Sequence, residues 1–206
     1  NPDLSEAMQS QRPIGVLSSA MRSTALEMVR ILNDVRLLGS GPSTGLRELE
    51  LPEVAPGSSI MPGKVNPSMP EMATMAMFFA IGLDAANAYA LQAGQLELNV
   101  MMPLMSLDLT MGLPIMTNAI RQVRQRTFEG LKANEDACLR YFQGSGAMAT
   151  ALTPAIGYAK AAEVTHEAIH AGIPVRQLLL ERGLVRAEDL DRVLDPARLV
   201  DPHCEG

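Results

Sequence analysis

The fold is decided by a long amphipathic stretch that reads IGVLSSAMRSTALEMVRILNDVRLL over residues 14–38. Its apolar residues recur at alternating steps of three and four, which is the spacing of one face of an α-helix. The residues on this face are Ile14, Leu17, Met21, Ala25, Met28, Leu32 and Val35. The pattern ends in the segment 39–45, where glycine can cap the helix and Pro42 prevents it from continuing. The stretch therefore predicts one long helix of a helical bundle.

Two further segments predict long helices. Residues 71–94 are apolar on nearly every side, and residues 104–132 form a third helical segment in which Pro114 predicts a kink. The start of the middle helix is marked by Asn66-Pro67, with asparagine as N-cap and proline at the first helical position. Because helices that are apolar all round are buried, we expect copies of this chain to share one bundle as a homo-oligomer.

The sequence changes character after residue 133. Glycine and proline residues then separate short helical segments, and most of the remaining charge lies there. We therefore predict an all-α fold with a long-helix bundle over residues 1–133 and a small helical C-terminal domain over residues 134–206. Composition favours the same fold class, because apolar residues make up 47% of the chain and aromatic residues only 3%, so we expect almost no strand.

Charge and cysteine content exclude several classes of function. The net charge of −6 gives no electrostatic basis for binding nucleic acid or anionic lipid. The most apolar run, residues 72–83, is interrupted by Asp84 and is too short to span a bilayer, so we expect no membrane partner. Cys138 and Cys204 fit no metal-ligand spacing and are too few for a disulfide scaffold. We therefore expect a reducing, cytoplasmic environment.

The segment GSSIMPGKVNP, residues 57–67, concentrates groups that suit a carboxylate ligand. Its first residues, including Ser58 and Ser59, offer hydroxyls and a flexible turn whose backbone N–H groups can form an anion-binding nest. Lys64 adds a positive charge, and Asn66 adds donors beside the start of a helix. These donors suit proton abstraction next to a carboxylate, where an aci-carboxylate dianion develops. The alternative is a plain glycine and serine turn with a solvated lysine and a capping asparagine.

Taken as a whole, the segment 57–67 resembles the signature loop of the fumarase/aspartase superfamily. The resemblance continues upstream and downstream and so covers nearly the whole chain, in NDVRLLGSGP (33–42), ELNVMMP (97–103) and IGYAK (156–160). It corresponds to the C-terminal half of the family's proteins. It implies an all-helical homotetrameric enzyme that handles a small dicarboxylate, and we expect no cofactor and no metal.

Two further motifs bear on which reaction the family resemblance implies. The segments AGQLELNVM (93–101) and LERGL (180–184) look more like aspartases, which implies a carbon-nitrogen lyase that reversibly deaminates L-aspartate to fumarate and ammonia. Gly63 and residues 156–158 also occur in the fumarase pattern, so a fumarate hydratase acting on malate and fumarate is the alternative.

The resemblance also implies roles for residues of the catalytic loop, residues 48–67. Ser58 would be the base that removes the Cβ proton, although a serine hydroxyl is a poor base unless amides and cationic groups stabilise its alkoxide. The substrate-binding residues would be Lys64 and Asn66, which bind a carboxylate, and Ser59 and Met61, which shape the loop.

Glu71 matches a carboxylate that in fumarases pairs with an active-site histidine from another part of the protein. Residues that hold the leaving group also lie outside this chain, so the resemblance implies that these 206 residues alone are inactive. On that view the isolated chain is only a folding or assembly unit, which we keep as a separate hypothesis.

A zinc site is a competing hypothesis. The segment HEAIH, residues 166–170, matches H-E-x-x-H, and on a helix both histidines would share one face. The third histidine of the metzincin motif is missing, and only Glu181 or Glu188 could complete the ligand set. The simpler interpretation places the histidines near the C-terminus of a surface helix capped by Gly172.

Overall fold

The computed structural model describes residues 2–146 and 148–195, and Cys204 lies outside them. These residues are mostly helical, which confirms the all-α prediction. The helices are α1 (Leu4–Gln9), α2 (Arg12–Leu38), α3 (Ser68–Gln92), α4 (Met102–Arg126), α5 (Glu135–Gly144), α6 (Met148–Ile156), α7 (Tyr158–Ala171), α8 (Val175–Glu181) and α9 (Ala187–Val193), with a 3-10 helix at Phe128–Gly130. Two short strands, β1 (Leu49–Glu50) and β2 (Lys132–Ala133), pair antiparallel.

The chain divides into two compact units, Asn1–Asn134 and Glu135–Gly206. In the first unit α2 packs against α3, and α3 packs against α4. Their shared core is built from small and flexible side chains, which lets long helices approach closely: Met21, Ala25, Leu32, Ala73, Met77, Ala80, Met116, Ala119 and Val123.

The buried face of α2 follows the predicted stripe at Met21, Ala25, Leu32 and Val35. The prediction is wrong at Leu17, which is 42% exposed, while its neighbour Ser18 is buried. The reason is a polar contact, because the Ser18 hydroxyl donates a hydrogen bond to α3 and turns that position inward.

Two predicted helix boundaries are wrong. Asn66 is not the N-cap of α3: the helix starts at Ser68, and the Asn66 amide donates to the carbonyl of Gly57 instead. The third long helix ends at Arg126 and not at residue 132, because the chain tightens into the 3-10 helix and then pairs as β2 with β1. Helix α4 continues through Pro114.

Helix α3 is long and apolar enough to cross a membrane by length and composition, a test that core helices of soluble proteins also pass. The prediction considered only the apolar run 72–83, which is too short to span a bilayer. The helix that contains this run is longer, because it extends from Ser68 to Gln92. Within the first unit α3 packs against α2 and α4, and its Asp84 forms an ion pair with Arg22 of α2.

The second unit consists of short helices around its own apolar core. Helices α6 and α7 pack together, and the buried residues of the cluster include Leu152, Val164, Leu179 and Leu190. Helix α7 ends as predicted at Gly172, which has φ of 66° and caps the helix in the left-handed conformation.

Candidate active site

The segment that carries the candidate chemistry is closed into a turn, residues 57–66, by two hydrogen bonds on Gly57. Its N–H donates to the carbonyl of Lys64 over 2.8 Å, and its carbonyl accepts from Nδ2 of Asn66 over 2.5 Å. A Cβ at position 57 would lie 2.2 Å from the Lys64 carbonyl oxygen, so only glycine permits this closure. The closed turn places Ser58 and Asn66 on one short piece of backbone.

Ser58 is half-buried, and its Oγ accepts hydrogen bonds from the backbone N–H groups of Ile60 and Met61, both over 3.1 Å. Donors aimed at an oxygen favour its negatively charged form. These are amide groups of the kind that an alkoxide at Ser58 requires. The structure differs from the predicted anion-binding nest in one respect. The N–H groups of Ile60 and Met61 donate to Ser58 Oγ, and the Gly57 N–H donates to the Lys64 carbonyl.

The tip of the closed turn is accessible. Ile60 is 86% exposed and Met61 50%, and Ser59 and Lys64 are exposed as well. The Lys64 N–H donates to the carbonyl of Met61 over 3.3 Å, which keeps the tip compact. Three of the substrate-binding residues suggested by the sequence, Ser59, Met61 and Lys64, are therefore exposed on the same turn as Ser58, whereas Asn66 is half-buried.

A cavity of 480 Å³ lies beside the closed turn and is lined by Lys64 and Asn66. Arg47, Glu50 and Glu53 line it as well, so positive and negative side chains are balanced there. Arg47 has φ of 51°, a left-handed conformation that costs energy for a residue with a Cβ. Sequence reasoning missed Arg47, because backbone strain has no sequence signature at a non-glycine residue.

Glu71 lies in the first turn of α3 and forms an ion pair with Arg36 of α2 over 3.7 Å. Arg36 also donates to the side chain of Asn33 over 3.4 Å. Both charged side chains are partly exposed, so the pair contributes little stability by itself. The contact nevertheless ties the helix that follows the closed turn to the end of α2. Sequence reasoning assigned Glu71 but missed Arg36, whose partner only the fold reveals.

The H-E-x-x-H segment lies on α7, where both histidines are exposed. Its glutamate, Glu167, is paired with Arg182, which also contacts Glu163. A hydrogen bond from Lys160 lowers the pKa of Glu163. No group of three or more His, Cys, Asp or Glu side chains is placed to hold a metal in residues 2–146 and 148–195. This geometry engages Glu167 in an ion-pair network and gives the zinc hypothesis no support.

Family models match both ends of the chain. A lyase family model matches residues 1–82, and a model of the fumarase C C-terminus matches residues 148–201. The first match includes the closed turn, and the second lies within the second unit.

Curated relatives carry two different names. The chain is 39% identical to aspartate ammonia-lyase of Bacillus subtilis over 203 residues, covering 98% of this chain and 43% of that protein. It is 42% identical to fumarate hydratase class II of Mycobacterium tuberculosis over 194 residues, covering 92% and 41% respectively. The chain thus spans less than half the length of these relatives.

Solved structures share the fold. A fumarate lyase:delta crystallin structure from Brucella melitensis matches with a TM-score of 0.87 and 38% identity, over 96% of this chain and 43% of that one. The class II fumarase of Schistosoma mansoni matches with a TM-score of 0.87 and 34% identity, over 96% and 41%. With its signature turn, its helical bundle and these relatives, the chain belongs to the fumarase/aspartase superfamily of lyases.

Proposed function

We propose that this chain is part of a lyase that reversibly removes ammonia from L-aspartate to form fumarate. The observation that carries the proposal is the pair of 3.1 Å hydrogen bonds from the N–H groups of Ile60 and Met61 to Ser58 Oγ. A serine oxygen held by two amides is suited to act as a base once it is ionised. The exposed tip of the turn and the presence of Lys64 on the same turn support the same role.

In the proposed reaction the Ser58 alkoxide takes the proton from Cβ of the substrate. The electron pair of the broken C–H bond moves into the neighbouring carboxylate, which becomes an aci-carboxylate dianion. Collapse of this intermediate forms the carbon–carbon double bond and expels ammonia. The positive charge of Lys64 would stabilise the dianion where its charge develops.

Asn66 would have a second task besides binding a carboxylate. Its Nδ2 donates to Gly57, so in this conformation the amide holds the turn that positions Ser58. We propose that the Asn66 amide binds substrate when the loop moves over the ligand, and that Ser59 and Met61 shape the loop around it. Glu71, paired with Arg36, would anchor the helix behind the turn.

Fumarate hydratase is the second candidate. Proton abstraction and the dianion would be the same, and hydroxide would leave in place of ammonia. It is favoured by the 42% identity to the fumarate hydratase of Mycobacterium tuberculosis, a value similar to the 39% for aspartate ammonia-lyase. The motifs over residues 93–101 and 180–184 favour the deamination.

We also propose a homotetramer that works in the cytoplasm without cofactor or metal. Support for the assembly comes from large apolar side chains that α2, α3 and α4 leave exposed. Because the chain spans about 43% of its relatives, the 206 residues alone should turn over neither substrate.

The test is an assay of fumarate formation by ultraviolet absorbance, with L-aspartate and L-malate offered separately. It uses the intact protein, which is the proposed full-length lyase that contains this chain. Ser58→Ala is expected to lower kcat by roughly 10²–10⁴-fold, because it removes the base. Ser23→Ala is the matched control, since that exposed hydroxyl donates to a carbonyl of its own helix and lies far from the closed turn in sequence.

Fumarate from aspartate alone, lost in Ser58→Ala and retained in Ser23→Ala, supports the proposal. Fumarate from malate alone would replace it with the hydratase. Unchanged kcat in Ser58→Ala would exclude Ser58 as the base, whichever substrate reacts.

A further inference from the structure

The apolar core of the first unit contains a polar layer, formed by Ser18 of α2, Asn87 of α3 and Asp108 of α4. Their exposed fractions are 2%, 1% and 4%, so all three are buried. Buried polar groups are costly unless they are hydrogen-bonded, and an unpaired carboxylate is the costliest of them. The proposed catalytic mechanism does not use the polar layer, so another interaction must offset the cost of burying it.

The helix register places these three residues at one level of the bundle. At Gly112 of α4, a Cβ would meet Met21 of α2 at 3.0 Å and Leu83 of α3 at 3.1 Å. Helix α3 runs antiparallel to α2 and α4, so one turn from this contact is reached by stepping back along α2 and α4 and forward along α3. One turn back leads from Met21 to Ser18 on α2 and from Gly112 to Asp108 on α4. One turn forward on α3 leads from Leu83 to Asn87.

Hydrogen bonds connect the layer to the surface of the unit. Nδ2 of Asn87 donates to Ser18 Oγ over 3.1 Å, and the Ser18 hydroxyl donates to Asp84 over 2.7 Å. The other carboxylate oxygen of Asp84 pairs with Arg22 over 3.0 Å. At the inner end, Asn87 Oδ1 and Asp108 Oδ2 find no hydrogen-bond partner within the part of the chain that the structure describes.

A count of protons shows what the chain of contacts lacks. Two links are observed, from Asn87 to Ser18 and from Ser18 to Asp84, and the helix register predicts a third from Asp108 to Asn87. Only the amide and the hydroxyl supply protons for these three links. Turning the Asn87 amide around does not help, because Ser18 would then have to donate to both of its neighbours. One proton is missing in either orientation, and among these four side chains only a carboxyl group can carry it.

We propose that Asp108 carries a proton at neutral pH and donates it to Asn87 Oδ1, which completes a hydrogen-bond chain across all three helices. A single proton then converts two unpaired acceptors into a donor and its acceptor. Asp84 differs from Asp108 in its contacts, because its carboxylate is paired with Arg22 over 3.0 Å and its side chain is 13% exposed.

The surroundings of Asp108 agree with this assignment. Burial raises the pKa of its carboxyl group above the ordinary value of 3.8. The charged groups in this chain of contacts are Arg22 from α2 and Asp84 from α3, and these are paired with each other. The inference does not depend on the proposed function, since it concerns the stability of the bundle.

The pH dependence follows from the direction of the shift. A carboxyl group with a raised pKa in the folded state contributes stability that is fully present below its unfolded pKa. That stability is lost as pH rises through the folded pKa. The helices of the first unit should therefore hold together less strongly at high pH than at mildly acidic pH.

The experiment combines two measurements on the intact protein. Infrared spectroscopy at pH 7 should show the carbonyl band of a protonated carboxyl group, and this band should be missing in Asp108→Asn. In thermal unfolding, Asp108→Asn should keep its Tm as pH rises where the unmodified protein loses Tm, because an amide cannot titrate. Asp34→Asn replaces an exposed carboxylate on α2. It is the matched control and should change neither result.

Absence of the protonated band in the unmodified protein would overturn the inference, as would an identical pH profile of Asp108→Asn. If Asp108→Asn does not fold, carbon NMR of labelled aspartate in the unmodified protein still decides. One carboxyl carbon titrating above the others supports the inference, and none doing so rejects it.

Discussion

Gly57 holds the candidate base in place although it carries no chemistry. Its N–H and its carbonyl make the two hydrogen bonds that close the turn around Ser58. The closure brings the backbone of Lys64 so near that no side chain fits at position 57. The position of Ser58 thus depends on a neighbour that never meets the substrate.

Gly57→Ala is expected to lower kcat by roughly 10²-fold or more, because a displacement of about 1 Å at a reacting group has that effect. The Tm should stay close to that of the unmodified protein, since the change is confined to a loop. The matched control is Gly144→Ala, at the end of α5, where a Cβ would meet no described atom within 4 Å. Full activity in Gly57→Ala would show that the closed turn is not required.

Residues of the turn could be predicted from sequence because their chemistry is contiguous. Ser58, Lys64 and Asn66 lie within one short segment, so no fold was needed to bring them together. The N-cap prediction failed for Asn66, because its side-chain amide donates to the Gly57 carbonyl across the turn and does not cap the helix. The Arg36 partner of Glu71 could not be predicted, because the contact joins two different helices.

Among the helices, the packing of α4 depends on Gly112. Its missing side chain leaves room for Met21 of α2 and Leu83 of α3. Gly112→Leu is expected to lower the free energy of unfolding by about 1–3 kcal/mol, because it overpacks this contact. Gly144→Leu at the end of α5, where a Cβ would meet no described atom within 4 Å, is the control and should leave the free energy of unfolding nearly unchanged. Equal effects in urea denaturation would mean that Gly112 is not a packing constraint.

Periodicity was a good guide to the long helices and a poor guide to their details. The stretch 14–38 reproduces α2 closely, because one face of it had to be apolar. The end of α4 was missed, since pairing of Lys132–Ala133 with Leu49–Glu50 depends on residues far away in sequence. The polar layer was missed because an apolar pattern gives no signal for a buried Asp108 or Asn87.

Within the described residues, α3 leaves large apolar side chains exposed to solvent. Phe78 is 57% exposed and Phe79 is 42% exposed, and Met75 and Tyr89 are exposed on the same helix. We expect the outer face of α3 to be covered in the proposed homo-oligomer.

Phe78→Glu is expected to shift the intact protein toward smaller species, because it buries a charge in that contact. Analytical ultracentrifugation measures the mass, and Gln125→Glu at an exposed position of α4 is the control. An unchanged mass for Phe78→Glu would show that this face of α3 is not an interface.

The connections between the long helices differ greatly in length. Residues 93–101 join α3 to α4, whereas residues 39–67 join α2 to α3 and include the closed turn. Closing the longer connection costs about 1 kcal/mol more in chain entropy, if both behave as flexible loops. The hairpin of α3 and α4 should then form early in folding, with α2 docking onto it afterwards. The segment that carries Ser58 would acquire its shape last, so refolded protein should regain helix signal before it regains activity.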